Sequence, residues 1–305
     1  MTEPWTADLV VTPELVRRSI ARQFPDLALE SIELLGEGWD NAAFLVDDAY
    51  VFRFPRRAVS APLIQAEIDF LPRLARQLPL PISAPRFAGK PSAEFPWPFA
   101  GYTLLRATPL SAAHPDSAAI ERIAVALGEF LRALHAIDAS GFVADGLVGD
   151  EIGRLDHAQR MPKLRARFEV LSSAGLLADP TPLLDYLEAI APTGPRQDRC
   201  VVVHGDLYAR HVLVDDGGCV EGIIDWGDVH YGDPAVDVSI LFEVLPPSAR
   251  AAFADAYGSV DDRTLELARY RAIYHAALVA YYGHRIGDAE LLAAGLAGLA
   301  YARPD

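Results

Sequence analysis

Apolar positions in the first hundred residues come in short runs, and later ones follow helical spacing. Residues 13–24 read as a helix, with Thr12 as N-cap and Pro13 at the first helical position. Residues 31–35, 42–46 and 50–54 read as strands, the last two closed as a hairpin by Asp47-Asp48. Over residues 62–78, Ile64, Ile68, Leu71, Leu74, Ala75 and Leu78 form one helical stripe, kinked or interrupted near Pro72. The Pro-rich stretch from Pro79 to Pro98 excludes regular helix and leads to a strand at residues 102–105. Beyond residue 110 the period becomes 3.6. Ile120, Ile123, Ala124, Leu127, Phe130, Leu131 and Leu134 define a long buried helix capped at Asp116 or Ser117. Helices are predicted at 161–174, 181–190 and through 248–301. Short strands at 200–203, 212–214 and 220–224 lie between them, with Gly217-Gly218 turning the last two. The pattern predicts an α+β chain of two lobes. A small β-rich lobe takes residues 1–105, and a larger, mostly helical lobe with an embedded β-hairpin takes 106–305.

Composition narrows the functional classes. The chain has 305 residues, 51% hydrophobic, which is too apolar for disorder. The net charge of −15 repels phosphate backbones and argues against a nucleic-acid partner. It would attract a cationic small molecule. Two cysteines, Cys200 and Cys219, make no disulfide framework. No uncharged apolar run approaches the roughly 18 residues a membrane helix needs, and the first residues lack a signal pattern. A cytoplasmic protein without membrane partners is expected.

The chemistry concentrates after residue 200. A β run delivers His204, Gly205 and Asp206 into a loop, and the chain returns as a strand after His211. The next hairpin ends at Asp225, followed by Asp228. Two carboxylates thus leave neighbouring short strands. One suits a base towards a hydroxyl, the other a hard cation such as Mg²⁺. Earlier, Gly36 and Gly38 lie in a turn between strands, where small residues allow backbone N–H groups near phosphates. Arg53 lies on the next strand. Glu67 falls inside the apolar stripe of the following helix, where a carboxylate needs a partner, and Arg53 is the natural one.

The string His204-Gly-Asp-Leu-Tyr-Ala-Arg-His211, followed by Ile224-Asp-Trp-Gly-Asp228, resembles the aminoglycoside phosphotransferase family, on the protein-kinase-like fold. Its flavour is that of the aminoglycoside 2″- and macrolide 2′-phosphotransferases, which also carry His where most members have Asn. The resemblance implies a kinase moving the γ-phosphoryl of ATP or GTP to a hydroxyl of an aminoglycoside-like small molecule. It implies Asp206 as catalytic base, and His211 and Asp225 as Mg²⁺ ligands. It also implies that Arg53, in place of the usual Lys, and Glu67 serve the nucleotide phosphates. The backbone of Thr103 and Leu105 would read the nucleotide base. Asp228 and Glu243 are candidates for binding a substrate ammonium. Tyr274, with Tyr270 and Tyr281, is a candidate wall of a sugar or macrolide pocket, although an aromatic helix stripe is more often core. A macrolide or a metabolite such as an amino alcohol is the alternative acceptor. Two other classes compete. A metal-dependent hydrolase would use His204, Asp206, His211 and His230, but leaves the glycine turn and the Arg53/Glu67 pair unexplained. A nucleotide-binding module without turnover would not need both Asp206 and Asp225.

Overall fold

The computed structural model describes residues 6–190, 196 and 199–304. Within it the chain forms two compact units. The first takes residues through Arg76, then Pro81–Arg106, and also the distant segment Asp225–Val229; the rest is the second.

In the first unit the helix α1 (Pro13–Gln23) precedes strands β1 (Ile32–Glu37), β2 (Asn41–Val46) and β3 (Tyr50–Pro55). Thr12 caps α1 by accepting the Leu15 N–H at 3.2 Å. Helix α2 (Ala61–Leu74), β4 (Pro85–Gly89) and β5 (Phe99–Thr103) follow. The five strands form one antiparallel sheet in the order β1-β2-β3-β5-β4. Asp47 and Asp48, both at positive φ, make the turn of the β2–β3 hairpin. One sheet face and α1 enclose an aromatic core, in which Phe54 and Phe99 stack at 4.4 Å. Gly101 is required there, because a Cβ would sit 2.5 Å from the Phe52 ring. The other face carries Arg53 between Ala43 and Ala100 on the flanking strands, with Tyr102 two residues along β5.

Three elements of this unit differ from the sequence pattern. Helix α2 runs through Pro72 and ends at Leu74, not residue 78, its last turn closed by the Ala75 N–H on the Leu71 carbonyl. The Pro-rich stretch contains an edge strand, β4, opened by Pro85, and β5 lies three residues earlier than expected.

The second unit holds β6 (Thr108–Pro109), α3 (Ser117–His135), α4 (Ser140–Ala144), α5 (His157–Ser173) and α6 (Thr181–Ala189). Then come β7 (Val201–Val203), β8 (Val212–Val214), β9 (Val220–Ile223), β10 (His230–Gly232), α7 (Ala235–Val238) and α8 (Ile240–Glu243). The chain ends with α9 (Arg250–Tyr257), α10 (Asp262–Ile286) and α11 (Ala289–Tyr301). Asp116 caps α3, accepting the Ala119 N–H at 2.8 Å. The β8–β9 hairpin turns at Gly217 and Gly218 and pairs with β6; β10, absent from the sequence pattern, pairs antiparallel with β7. Helices α10 and α11 pack backbone to backbone at Gly295, where a Cβ would sit 2.3 Å from the Ala280 nitrogen. No helix among the described residues is long and apolar enough to cross a membrane.

Candidate active site

The first unit gathers Arg53, Glu67, Tyr102 and Asp225. Arg53 donates from Nη1 to Glu67 Oε1 at 2.8 Å and from Nη2 to Asp225 Oδ1 at 2.6 Å. Tyr102 donates its hydroxyl to Glu67 Oε2 at 2.6 Å. The Glu67 side chain has no exposure, that of Arg53 has 14%, and that of Asp225 has 42%. The open end of this chain of charges is therefore Asp225. Burial pushes Glu67 up to about 7, opposed by the Arg53 guanidinium. Burial alone would lower Arg53, but the Asp225 and Glu67 carboxylates outweigh it and hold the guanidinium well above its ordinary value. Tyr102 was not among the expected residues. Its place beside Glu67 follows from β3 pairing with β5, a register the sequence does not state.

Gly36 lies in β1 at a bulge, and Gly38 donates its N–H to the Asn41 carbonyl at 2.9 Å. Neither has positive φ, and a Cβ at Gly36 would meet nothing within 4 Å. The fold itself does not demand glycine at Gly36. Thr103 ends β5, exposed, and Leu105 lies beyond the strand. Asp228 is half-buried in the turn of the segment that carries Asp225.

The second unit builds its loop around Asp206. Strand β7 ends at Val203, and the next two N–H groups, of His204 and Gly205, donate to the buried Asp237 carboxylate at 2.7 and 2.9 Å. His204 accepts the Asp206 N–H on Nδ1 at 3.2 Å and donates from Nε2 to the Ile224 carbonyl at 3.0 Å. Burial pushes its pKa down, so it is neutral. Arg154 donates from Nε to the Gly205 carbonyl at 3.0 Å. The loop is thus fixed by its own backbone partners before any side chain reaches substrate.

The Asp206 side chain is 28% exposed. His275 lies 3.1 Å from its Oδ1 through Nε2, and Arg271 lies 3.5 Å away through Nη2. Burial would raise the Asp206 pKa, but the His275 hydrogen bond and the positive charge of His275 and Arg271 hold it well below the usual carboxylate range. His211 donates from Nδ1 to the Asp206 main-chain carbonyl at 2.7 Å, which places the lone pair of the neutral ring on Nε2. Tyr208 packs against both rings, 4.4 Å from His211 and 5.0 Å from His275 between centroids.

Three expectations change on this geometry. Glu243 is 6% exposed and accepts from His275 Nδ1 at 2.7 Å, so its carboxylate is turned to that ring and away from solvent. Tyr270 and Tyr274 are 2% and 1% exposed and lie in the core, while Tyr281 is half-buried. The Tyr274 hydroxyl accepts from Arg160 at 3.2 Å. The hydrolase reading fails on His204, whose two nitrogens are both used by the loop, and no group of three metal-ligating side chains occurs among the described residues. His275 and Arg271 were missed as site residues. They stand one helical turn apart on α10, a polar pair on a buried helix face.

Residues 31–273 match the Phosphotransferase enzyme family. The chain belongs to that family. Viomycin phosphotransferase of Streptomyces vinaceus is 36% identical over 101 residues, which span 32% of this chain and 35% of that enzyme. The chain is thus matched to about a third of that relative's length. Among solved structures, the GDP and kanamycin complex of APH(2″)-IIia superposes with a TM-score of 0.67 at 26% identity, over 94% of this chain and 97% of that one. A macrolide 2′-phosphotransferase type I superposes with a TM-score of 0.61 at 25% identity, over 96% and 98%. The family member described here has the α+β, protein-kinase-like fold of those enzymes.

Proposed function

We propose that this protein transfers the γ-phosphoryl group of ATP or GTP to a hydroxyl of an aminoglycoside-like small molecule in the cytoplasm. The observation that carries the reading is Asp206: an ionised, partly exposed carboxylate on a loop clamped by buried hydrogen bonds, with the His211 ring beside it. In this reading Asp206 accepts the hydroxyl proton as the hydroxyl oxygen bonds to the γ-phosphorus. The bond to the β,γ-bridging oxygen breaks, and the nucleoside diphosphate leaves. Arg53, braced by Glu67 and Tyr102, presents its guanidinium to the nucleotide phosphates. Gly36 and Gly38 let the backbone approach them, and the main chain at Thr103 and Leu105 meets the base.

The donor chemistry suits Mg²⁺. Asp225 keeps 42% of its side chain exposed, and the His211 tautomer carries its lone pair on Nε2. These two residues would hold the ion, with triphosphate oxygens and water completing its shell. When bound, Mg²⁺ neutralises charge that develops on the transferring group. Asp228 is the acidic residue best suited to meet an ammonium of the acceptor, since Glu243 is turned to His275. The aromatic stripe no longer favours a macrolide, because Tyr270 and Tyr274 are in the core.

The test is consumption of ATP and of GTP against a panel of aminoglycosides, macrolides and amino alcohols. Asp206→Asn is expected to lower kcat by roughly 10²–10⁴-fold with nucleotide affinity largely kept. Turnover of Asp206→Asn at the wild-type rate would falsify the assignment of the base.

A further inference from the structure

Behind Asp206 stands a second pair of groups that phosphoryl transfer does not by itself require. His275 lies between two carboxylates: Nε2 is 3.1 Å from Asp206 Oδ1, and Nδ1 is 2.7 Å from Glu243 Oε1. Carboxylates accept only, so a ring bonded to both must donate from both nitrogens and be an imidazolium. His275 is 5% exposed and Glu243 6%, so the pair they form is shielded from water. Glu243 is also pinned from behind. Helix α11 passes so close that a Cβ on Gly298 would lie 3.1 Å from Glu243 Cγ. Glu243 Oε2 is buried without a hydrogen-bond partner, a costly arrangement for a residue that only fills space. Arg271, one turn before His275 on the same helix, adds a second cation 3.5 Å from Asp206 Oδ1.

We infer that His275 is a positioning residue of the phosphoryl transfer: held by Glu243, it engages Asp206 Oδ1 and so leaves Oδ2 as the oxygen that takes the acceptor's proton. Glu243 sets the ring, the ring sets the carboxylate, and the carboxylate meets the hydroxyl. His275 stays protonated throughout and exchanges no proton. The new O–P bond, the broken bond to the leaving diphosphate and the proton on Asp206 complete the step. A carboxylate free to rotate would present either oxygen and lose the near-attack geometry on which such bases depend. The inference rests on Asp206 being the base.

The experiment measures GTP consumption with kanamycin as the acceptor probe and, without it, with water as the acceptor. The proteins are wild type, Asp206→Asn, His275→Ala, His275→Gln, Glu243→Gln and the double variant Asp206→Asn/His275→Ala. His275→Ala should lower kcat about 10- to 100-fold, the range for loss of a group that orients a reacting one, with KM and nucleotide Kd within about twofold. His275→Gln, which keeps one donor towards Asp206, should recover part of that loss, and Glu243→Gln should fall between wild type and His275→Ala. In the Asp206→Asn background, removing His275 should cost less than about twofold, because the group it positions is already gone. A residue that only fills the core would raise KM and lower stability equally in both backgrounds. Wild-type kcat in His275→Ala, or equal losses in both backgrounds, overturns the inference while the role of Asp206 stands. Wild-type kcat in Asp206→Asn overturns both. Should His275→Ala not fold, His275→Met, which fills the space without a donor, carries the same comparisons.

Discussion

Glu67 shows how far a single residue can be read from sequence. A charged side chain in the middle of an apolar helical stripe must either distort the helix or find a buried partner, and Arg53 supplies it at 2.8 Å. Tyr102 was hidden because its role depends on which strand β5 pairs with, and nothing local in the chain fixes that. The pair makes a prediction about stability. Arg53→Ala removes the guanidinium from a fully buried carboxylate and should destabilise the first unit by roughly 1–3 kcal/mol. Since burial already pushes Glu67 to about 7, the orphaned acid escapes by taking a proton, so the loss should be larger at pH 8 than at pH 6. Chemical denaturation at the two pH values checks this; equal losses would mean that Glu67 does not carry the charge. His275 gives the second prediction at this scale. Burial lowers its pKa, but Glu243 and the hydrogen bonds to Asp206 and Glu243 outweigh burial and the opposing Arg271, raising it from 6.5 to about 9; Tyr208 is the other titratable ring against it. A raised base contributes stability fully below pH 6.5 and loses it as pH rises through about 9. Wild-type Tm should therefore drop more across that window than the Tm of His275→Asn.

Elements were legible where one physical cause dominates. The α3 stripe and its Asp116 cap, the Asp47-Asp48 hairpin and the Gly217-Gly218 turn all follow from local rules, and their positions hold to within a few residues. Helix α2 runs through Pro72 and closes with the Ala75 N–H on the Leu71 carbonyl, so the apolar period continues to Leu78 beyond the helix itself. Strands β4 and β10 were not legible. One opens on a proline at a sheet edge, and the other is three residues long and exists only by pairing with β7. The string from His204 to His211 was visible because its residues are contiguous, whereas His275 reaches Asp206 from a helix far along the chain. That helix depends on close packing. At Gly295 of α11 an added methyl would meet the backbone of Ala276 and Ala280 at under 3 Å, and no side-chain rotation relieves it. Gly295→Ala should cost about 1–3 kcal/mol, the range for overpacking a rigid contact. Thermal unfolding of this variant beside the exposed, unhindered Gly36→Ala is the measurement. An unchanged Tm in Gly295→Ala would show that α11 can move away from α10 at no cost.

For the whole molecule the decisive quantity is charge. Lys and Arg number 27 against 42 Asp and Glu, a formal balance of −15. Some of the acid content has a structural use: Asp47, Asp116, Asp237 and Asp261 hold backbone N–H groups, and Glu67 and Glu243 are buried with cationic partners. The surplus still creates a negative field, and a field acts on a ligand in proportion to its charge. An aminoglycoside carries several ammonium groups and a macrolide a single amine, so the two acceptors should respond differently to screening. At about 0.01 M ionic strength the Debye length is near 30 Å, and at 0.15 M it is near 8 Å, so added salt erases all but the nearest contacts. With a polycationic acceptor KM should rise steeply from low to physiological salt, while kcat, if Asp206 is the base proposed above, should change little. With a macrolide both should stay nearly flat. A salt-independent KM for an aminoglycoside would mean that binding relies on short contacts such as one at Asp228, and that the net charge does not select the substrate. Phosphorylation of a macrolide with none of any aminoglycoside would overturn the cationic acceptor and leave the kinase chemistry of Asp206 in place.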